Sequence, residues 1–406
     1  GLKISDWRTI MSNINYHDSL LVAPLRIIAL NNCKELGEKV NQLIIERRHK
    51  ALSEAGIRNS SFKMQEYDRD DYLVSYDCPR FGTGEGRAVI NQSIRGTDLF
   101  IIADTVNYSE LFKMHGSISQ MSPDDHFMDL KRVIMACGGS PRRITVIMPY
   151  LYEGRQNVRM ANESLDCAQA LQELTEMGVE TIITFDAHDS RVQNAIPIHG
   201  FDNFYTSYQF IREIFDRNPD MPVDDKHLMI VSPDEGGMGR AVYYASLLGV
   251  NMGTFYRRKD YSITVNGDHP IVSVEFLGND LAGKNIILLD DMIASGQTIM
   301  DAAAELKKRG ASKVIICATF GLFSNGLDEI DAAYEKGLFD NIYTTNLVHV
   351  PNELLHKQYY VNVDMSAYIS LIIDTLNHDT SVNNILDATS RIQELVETRL
   401  KEQASI

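Results

Sequence analysis

Short runs of β-branched and leucine residues recur along this chain, each followed by a loop and then a helical pattern, and no other feature constrains the fold as much. Residues 26–30 predict a strand followed by a helix from about Lys34; residues 98–104 a second strand, and 125–137 a helix. Strand 143–149, helix 163–177 and strand 179–186 complete a crossover unit. The rhythm restarts with strand 227–231 and helix 237–248, then strand 285–290, helix 297–309 and strands 313–320 and 341–345. Strands alternating with helices imply parallel sheets covered by helices on both faces. The expected fold class is therefore α/β, with two domains each built on a mostly parallel sheet flanked by helices.

Length supports the count, since 406 residues exceed what one core usually covers. The change of domain is expected between His199 and Lys226, where 216–225 (DRNPDMPVDD) has the composition of a linker or a surface loop. The expected division is an extension over 1–24, a first domain over 25–205, a second over 206–380 and a C-terminal helix over 381–406. Closing helices are predicted over 367–376 and 385–400, and the polar stretch 46–71 is expected to be irregular.

A formal net charge of −16 argues against a nucleic-acid partner, which needs a basic face to neutralise phosphates. It leaves room for phosphorylated small molecules met by local basic clusters. The longest apolar runs, 286–289 and 314–320, are strand-sized, so no membrane span is expected. Cys33, Cys78, Cys137, Cys167 and Cys317 are scattered, odd in number and lack CxxC pairing, which argues against a disulfide framework or a zinc site. Four of them sit in apolar surroundings and read as small core residues. Residues 1–20 show no basic segment followed by an apolar stretch, so the expected location is cytoplasmic.

The most informative segment is 285–298, NIILLDDMIASGQT. An apolar strand runs into Asp290 and Asp291, then a short loop, then Ser295, Gly296, Gln297 and Thr298 opening a helix. Parallel sheets bind ligands beyond the carboxyl ends of their strands, and helix N-termini offer unpaired amides to phosphate. The acids could then accept bonds from sugar hydroxyls. The same residues also suit a plain strand end with solvated acids and an N-capping Ser295. Physics alone leaves both open.

Taken with its neighbours, this loop resembles that of ribose-phosphate pyrophosphokinases, also called phosphoribosyl pyrophosphate synthases, which have a phosphoribosyltransferase-like fold. RFGTGEGRAVI (80–90), SIRGTDLFIIAD (93–104), IMPYLYEGRQ (147–156), ITFDAHDSRVQ (183–193) and IVSPDEGGMGRA (230–241) follow in the family's order, and the resemblance spans roughly 25–347. It implies two phosphoribosyltransferase-like domains and transfer of pyrophosphate from MgATP to the anomeric hydroxyl of ribose 5-phosphate, giving phosphoribosyl pyrophosphate and AMP. Asp290, Asp291, Ser295, Gly296, Gln297 and Thr298 would then hold ribose 5-phosphate. Phe81, Gly84, Glu85, Arg155, Gln156 and His188 would contact ATP, and His188 and Asp234 would serve Mg2+. Arg257, Arg258 and Lys259 would lie in a flexible catalytic loop reaching to Asp268. The segment 81–85 serves a neighbouring subunit in that family, which implies a homo-oligomer built from dimers, with a hexamer as one form.

Three departures from the pattern matter. Arg257 and Lys259 reverse the family's lysine-then-arginine order, Thr83 stands where an aspartate is usual, and Ala294 replaces another aspartate. Two alternatives therefore stay in view: a non-catalytic regulatory homologue, and a phosphoribosyltransferase that consumes phosphoribosyl pyrophosphate. The absence of GxxxxGK[ST] disfavours ordinary P-loop kinase chemistry.

Overall fold

A computed structural model describes residues 20–55, 66–259 and 271–404 of the chain. Two compact units emerge, and they interleave in sequence. The first comprises the described residues up to Thr184, with Asp189–Asp202 and Ser366–Ile385; the second comprises Phe185–His188, Asn203–Met365 and the residues from Leu386 on. Residues 366–380, expected in the second domain, thus group with the first.

The first unit is built around β1 (Leu25–Ala29), α1 (Lys34–Ala55), β2 (Tyr76–Asp77), β3 (Val89–Ile90), β4 (Asp98–Ile102), β5 (Leu111–Met114) and β6 (Ser117–Gln120). It continues with α2 (Pro123–Cys137), β7 (Arg143–Ile147), α3 (Asp166–Glu176), β8 (Thr181–Phe185) and β9 (Gly200–Phe204). Its sheet has the order β1-β4-β7-β8-β9, with parallel pairing from β1 through β8. Two small antiparallel pairs, β2–β3 and β5–β6, went unforeseen because two to four residues carry too little period to read.

Local chemistry sets the ends of these elements. Ser122 and Asp125 form a reciprocal capping box ahead of α2, Pro123 occupies its first turn, and Gly138 closes it in the left-handed region. Helix α1 runs to Ala55, into the stretch expected to be irregular, because Arg47 and Arg48 have partners on a returning helix. Arg48 donates to Asp374 Oδ1 at 2.9 Å and Asn377 Oδ1 at 2.7 Å, and Arg47 donates to Ser370.

The second unit holds α4 (Ser207–Arg217), β10 (Leu228–Ser232), α5 (Met238–Leu248), β11 (Asn251–Lys259), β12 (Ile271–Leu277) and β13 (Asn285–Ile293). Next come α6 (Gln297–Lys308), β14 (Lys313–Gly321), α7 (Asp328–Glu335), β15 (Asn341–Thr345) and β16 (Tyr360–Val363). Helix α8 (Ser366–Asn377) belongs to the first unit, and α9 (Thr389–Ala404) to the second. The second sheet runs β12-β11-β10-β13-β14-β15-β16 and is parallel except for β12. The central β13 and β14 are near-continuous apolar runs, as strands covered on both faces must be, and Ile286, Leu288, Val314 and Ile316 are completely buried between helices. Residues 216–225 form a packed loop rather than a linker: the carbonyls of Asn218 and Met221 accept from Arg399 and Gln403 of α9. Of the five cysteines, all but Cys78 are buried, as core residues should be.

Candidate active site

Strand β13 does not stop at its acids. It pairs with β14 through Met292 and Ile293, so Asp290 and Asp291 lie within the strand and point to opposite faces of its pleat. The turn that follows ends at Gly296, whose φ of 89° is a left-handed conformation that glycine alone adopts cheaply. Gly296, not Ser295, occupies the N-cap of α6, and no side chain caps the helix. The Ser295 hydroxyl is a distant 3.4 Å from the Gln297 amide, and among the described residues the amides of Thr298 and Ile299 have no protein acceptor. Thr298 is half-buried and Gln297 exposed, with its amide donating to Asp301. An N-terminus with open donors and no competing cap is the arrangement a phosphate fills.

Behind this turn sits a buried charge cluster within the second unit. Asp291 is 8% exposed, and its Oδ2 lies 2.6 Å from Nδ1 of His188. The His188 side chain is 46% exposed, so the ring reaches solvent while the acid it contacts is buried. Asp186, two residues earlier, adopts φ 39° and is fastened by Thr206 and by Thr319 at 2.7 Å. Arg240 of α5 completes the group, its Nε 3.9 Å from Asp186. Burial opposes the Arg240 charge, but Asp186, Asp291 and Asp290 outweigh it and raise its pKa. Burial and the adjoining Asp291 push the Asp290 carboxyl upward. Burial also works against charge on Asp291, yet the His188 hydrogen bond and Arg240 hold it below its ordinary value. The pair therefore prefers one negative charge to two.

Asp234 follows β10. Its Oδ1 accepts from the Gly237 amide at 3.1 Å, and its carbonyl takes the hydroxyls of Ser232 and Thr254. A Cβ on Gly237 would lie 2.5 Å from the Ser232 Oγ, so glycine is what lets the backbone pass that hydroxyl. No trio of His, Cys, Asp or Glu gathers as a metal cage among the described residues. The half-buried Asp234 carboxylate is a hard donor, and its field reaches Asp290. One or two such donors fit magnesium, which completes its shell with water and phosphate oxygens; an imidazole fits it less well.

The expected loop at 257–259 is corrected. Strand β11 continues through Arg257, Arg258 and Lys259, pairing antiparallel with Val274, Ser273 and Ile271, because β12 extends the edge of the sheet. The rest of the loop expected to reach Asp268 lies outside the described residues.

The remaining site residues belong to the first unit. Phe81 is 51% exposed at a turn closed by the Phe81 amide on the Glu85 carbonyl, with Gly84 at φ 94°. Glu85 is exposed and accepts from Thr83. Arg155 is exposed just beyond β7, and Gln156 donates to the Ser164 carbonyl. Thus the structure gathers His188 and Asp291 directly, groups Asp290 and Asp234 with them electrostatically, and leaves Phe81, Gly84, Glu85, Arg155 and Gln156 in the other unit. Sequence reasoning missed Arg240, Asp186, Thr206 and Thr319 as supports. A lone arginine in the apolar helix MGRAVYYASLL was the available signal.

Known proteins sharpen the classification. A model of the N-terminal domain of ribose phosphate pyrophosphokinase matches residues 25–178, and one of the phosphoribosyl transferase domain matches 206–356. The phosphoribosylpyrophosphate synthetase structure from Mycobacterium smegmatis covers 87% of this chain and 99% of its own at a TM-score of 0.67 and 21% identity. The fold is thus a pair of phosphoribosyltransferase-like α/β domains. The ribose-phosphate pyrophosphokinase of Synechococcus elongatus is 30% identical over 309 residues, 75% of this chain and 84% of the relative. That of Parasynechococcus marenigrum is 29% identical over 311 residues, 76% and 85% of the two chains. The chain belongs to the ribose-phosphate pyrophosphokinase family.

Proposed function

We propose that this chain transfers the pyrophosphoryl group of MgATP to ribose 5-phosphate. The uncapped, glycine-closed N-terminus of α6 directly beyond the Asp290–Asp291 pair carries the proposal. The 5-phosphate takes the open amides around Ser295, Gly296, Gln297 and Thr298, and the acids address the ribose hydroxyls. ATP binding falls to Phe81, Gly84, Glu85, Arg155, Gln156 and His188, an assignment supported by membership of the family. The anomeric oxygen attacks the β-phosphorus in line; the new O–P bond forms as the bond to the bridging α-phosphate oxygen breaks, the hydroxyl proton passes to solvent and AMP leaves with the bridging oxygen. Arg257, Arg258 and Lys259 stabilise charge on the transferring group, a positioning and electrostatic role without a covalent intermediate.

Asp234 and His188 would hold Mg2+, which when bound neutralises the phosphate charge and orients the triphosphate. The exposed turn at Phe81–Glu85 suits service to a neighbouring copy, hence a homo-oligomer built from dimers with a hexamer as one form. No helix among the described residues is long and apolar enough to cross a membrane, and a cytoplasmic setting accords with this chemistry.

Phosphorus NMR of purified protein with MgATP and ribose 5-phosphate tests the proposal. Matched appearance of AMP and phosphoribosyl pyrophosphate is expected; absence of turnover at every protein concentration sinks it.

A further inference from the structure

The turn at Phe81–Glu85 is held at its base and at its tip. The base is fixed to α2, where Arg80 pairs with Asp129 at 2.9 Å and Arg132 joins the same carboxylate at 2.7 Å. A Cβ on Gly86 would lie 2.6 Å from the Arg80 guanidinium, so the chain leaving the turn runs close against that group. The same guanidinium lies over the Phe112 ring of β5, 5.4 Å from its centre.

The tip is held by the β5–β6 hairpin. The His115 amide donates to the Gly82 carbonyl at 2.8 Å. A Cβ on Gly84 would lie 2.7 Å from Met114 Sδ and 3.2 Å from its Cγ, so the thioether fills the space a side chain there would take. His115 and Gly116, at φ 47° and 82°, make the two-residue reversal that joins β5 to β6. Phe112 and Met114 are half-buried and share the face that meets the turn, whereas Leu111 and Ile118 on the other face are exposed. A hairpin of this size is marginal in water by itself, so hairpin and turn order each other.

We propose that the β5–β6 hairpin is the brace of the nucleotide turn and that Met114 is its positioning residue, setting the height of Gly84 and with it the placement of Phe81 and Glu85. The turn moves as one piece, because the Phe81 amide bonds the Glu85 carbonyl and the Gly84 amide the Phe81 carbonyl. A shift at Gly84 therefore carries both side chains with it. The kinetic consequence rests on the proposed place of this turn in the ATP site; the structural one does not.

The test uses the full chain. Met114→Ala should raise the ATP KM about 10-fold, with kcat and the ribose 5-phosphate KM nearly constant. Met114→Leu refills the space and should bring the ATP KM back to within about twofold. Amide exchange read by mass spectrometry should show residues 80–87 exchanging faster in Met114→Ala while β4 and β7 keep their protection, which sets local loosening apart from failure to fold. Phe81→Ala separates this proposal from the reading beneath it. If Phe81→Ala leaves the ATP KM unchanged, the turn is no part of the nucleotide site, and exchange alone then judges the brace. A raised ATP KM in Phe81→Ala beside an unchanged one in Met114→Ala overturns the brace. So does a Met114→Ala effect that falls on kcat or on both KM values, or one that Met114→Leu does not relieve. Should the unaltered protein make no phosphoribosyl pyrophosphate, unchanged exchange of residues 80–87 in Met114→Ala still sinks the proposal.

Discussion

The two units bury charge in opposite ways. In the first, Asp98 takes both Arg143 and Asn377, and Asp374 takes Arg48, whose guanidinium also lies 4.5 Å above the Tyr67 ring. Each of these two acids has a cation of its own. In the second, the charges of Asp186, Asp291 and Asp290 all act on Arg240, and the field of Asp234 adds to the crowding of Asp290. A satisfied network holds helices together. A crowded one stores unfavourable charge that a ligand or metal can relieve, which is the usual mark of a working site.

The same chemical change should therefore act oppositely in the two places. Asp374→Asn leaves Arg48 buried without its counter-charge and should cost about 3–5 kcal/mol, the usual loss when one partner of a buried pair is removed. Denaturant titration would measure it, and amide exchange should show the first-unit strands opening before those of the second. Equal loss of protection in both units would erase the contrast. Gly296→Val forces a branched residue to φ 89° and should cost roughly 1–3 kcal/mol. It should also strongly raise the KM for ribose 5-phosphate by closing the amide turn, and a variant with normal kinetics would show the turn is not the phosphate site. Asp290→Asn removes a charge that burial already disfavours, so stability should hold or rise by ~1 kcal/mol while ribose 5-phosphate use weakens. A destabilised variant would mean that Asp290 belongs with the satisfied acids.

The smallest effect is a difference of slope with pH. Burial lowers the pKa of His378, so the unfolded chain takes up its proton first, and stability present above the ordinary value of 6.5 is lost as pH falls through it. Asp374 has the same sign, since Arg48 and neighbours overcome burial and lower its pKa, with its loss beginning below 3.8. Asp290 has the opposite sign: its raised pKa makes the folded form hold the proton, so its contribution is lost as pH rises above 3.8. Mild acid should loosen the first unit before the second, and unit-resolved amide exchange between pH 7 and pH 5 would register the order.

What the residues announced in advance follows the same divide. Parallel-strand periods and the turn at Ser295–Thr298 are local, and both were readable. The tertiary supports were not. Met292 and Ile293 prolong β13 past its acids only because β14 lies alongside, and β11 reaches Lys259 only because β12 returns beside it. Arg240 looked like one more arginine until the sheet placed Asp186 beside it. The helical extent of 46–55 needed partners on α8 that no local pattern could supply.

That last feature bears on how the polypeptide matures. Helix α8, which supplies the partners of Arg47, Arg48 and Asp98, is made only after the whole central part of the second unit has left the ribosome. Until then, α1 carries two cations with no counterpart and β4 an acid short of one of its bonds. Synthesis proceeds at about 5–20 residues per second, so the earliest-made unit must wait many seconds for its closing piece. A truncated chain ending before Ser366 would leave that opening half lastingly unfinished, a target for chaperones or proteases rather than an independent module.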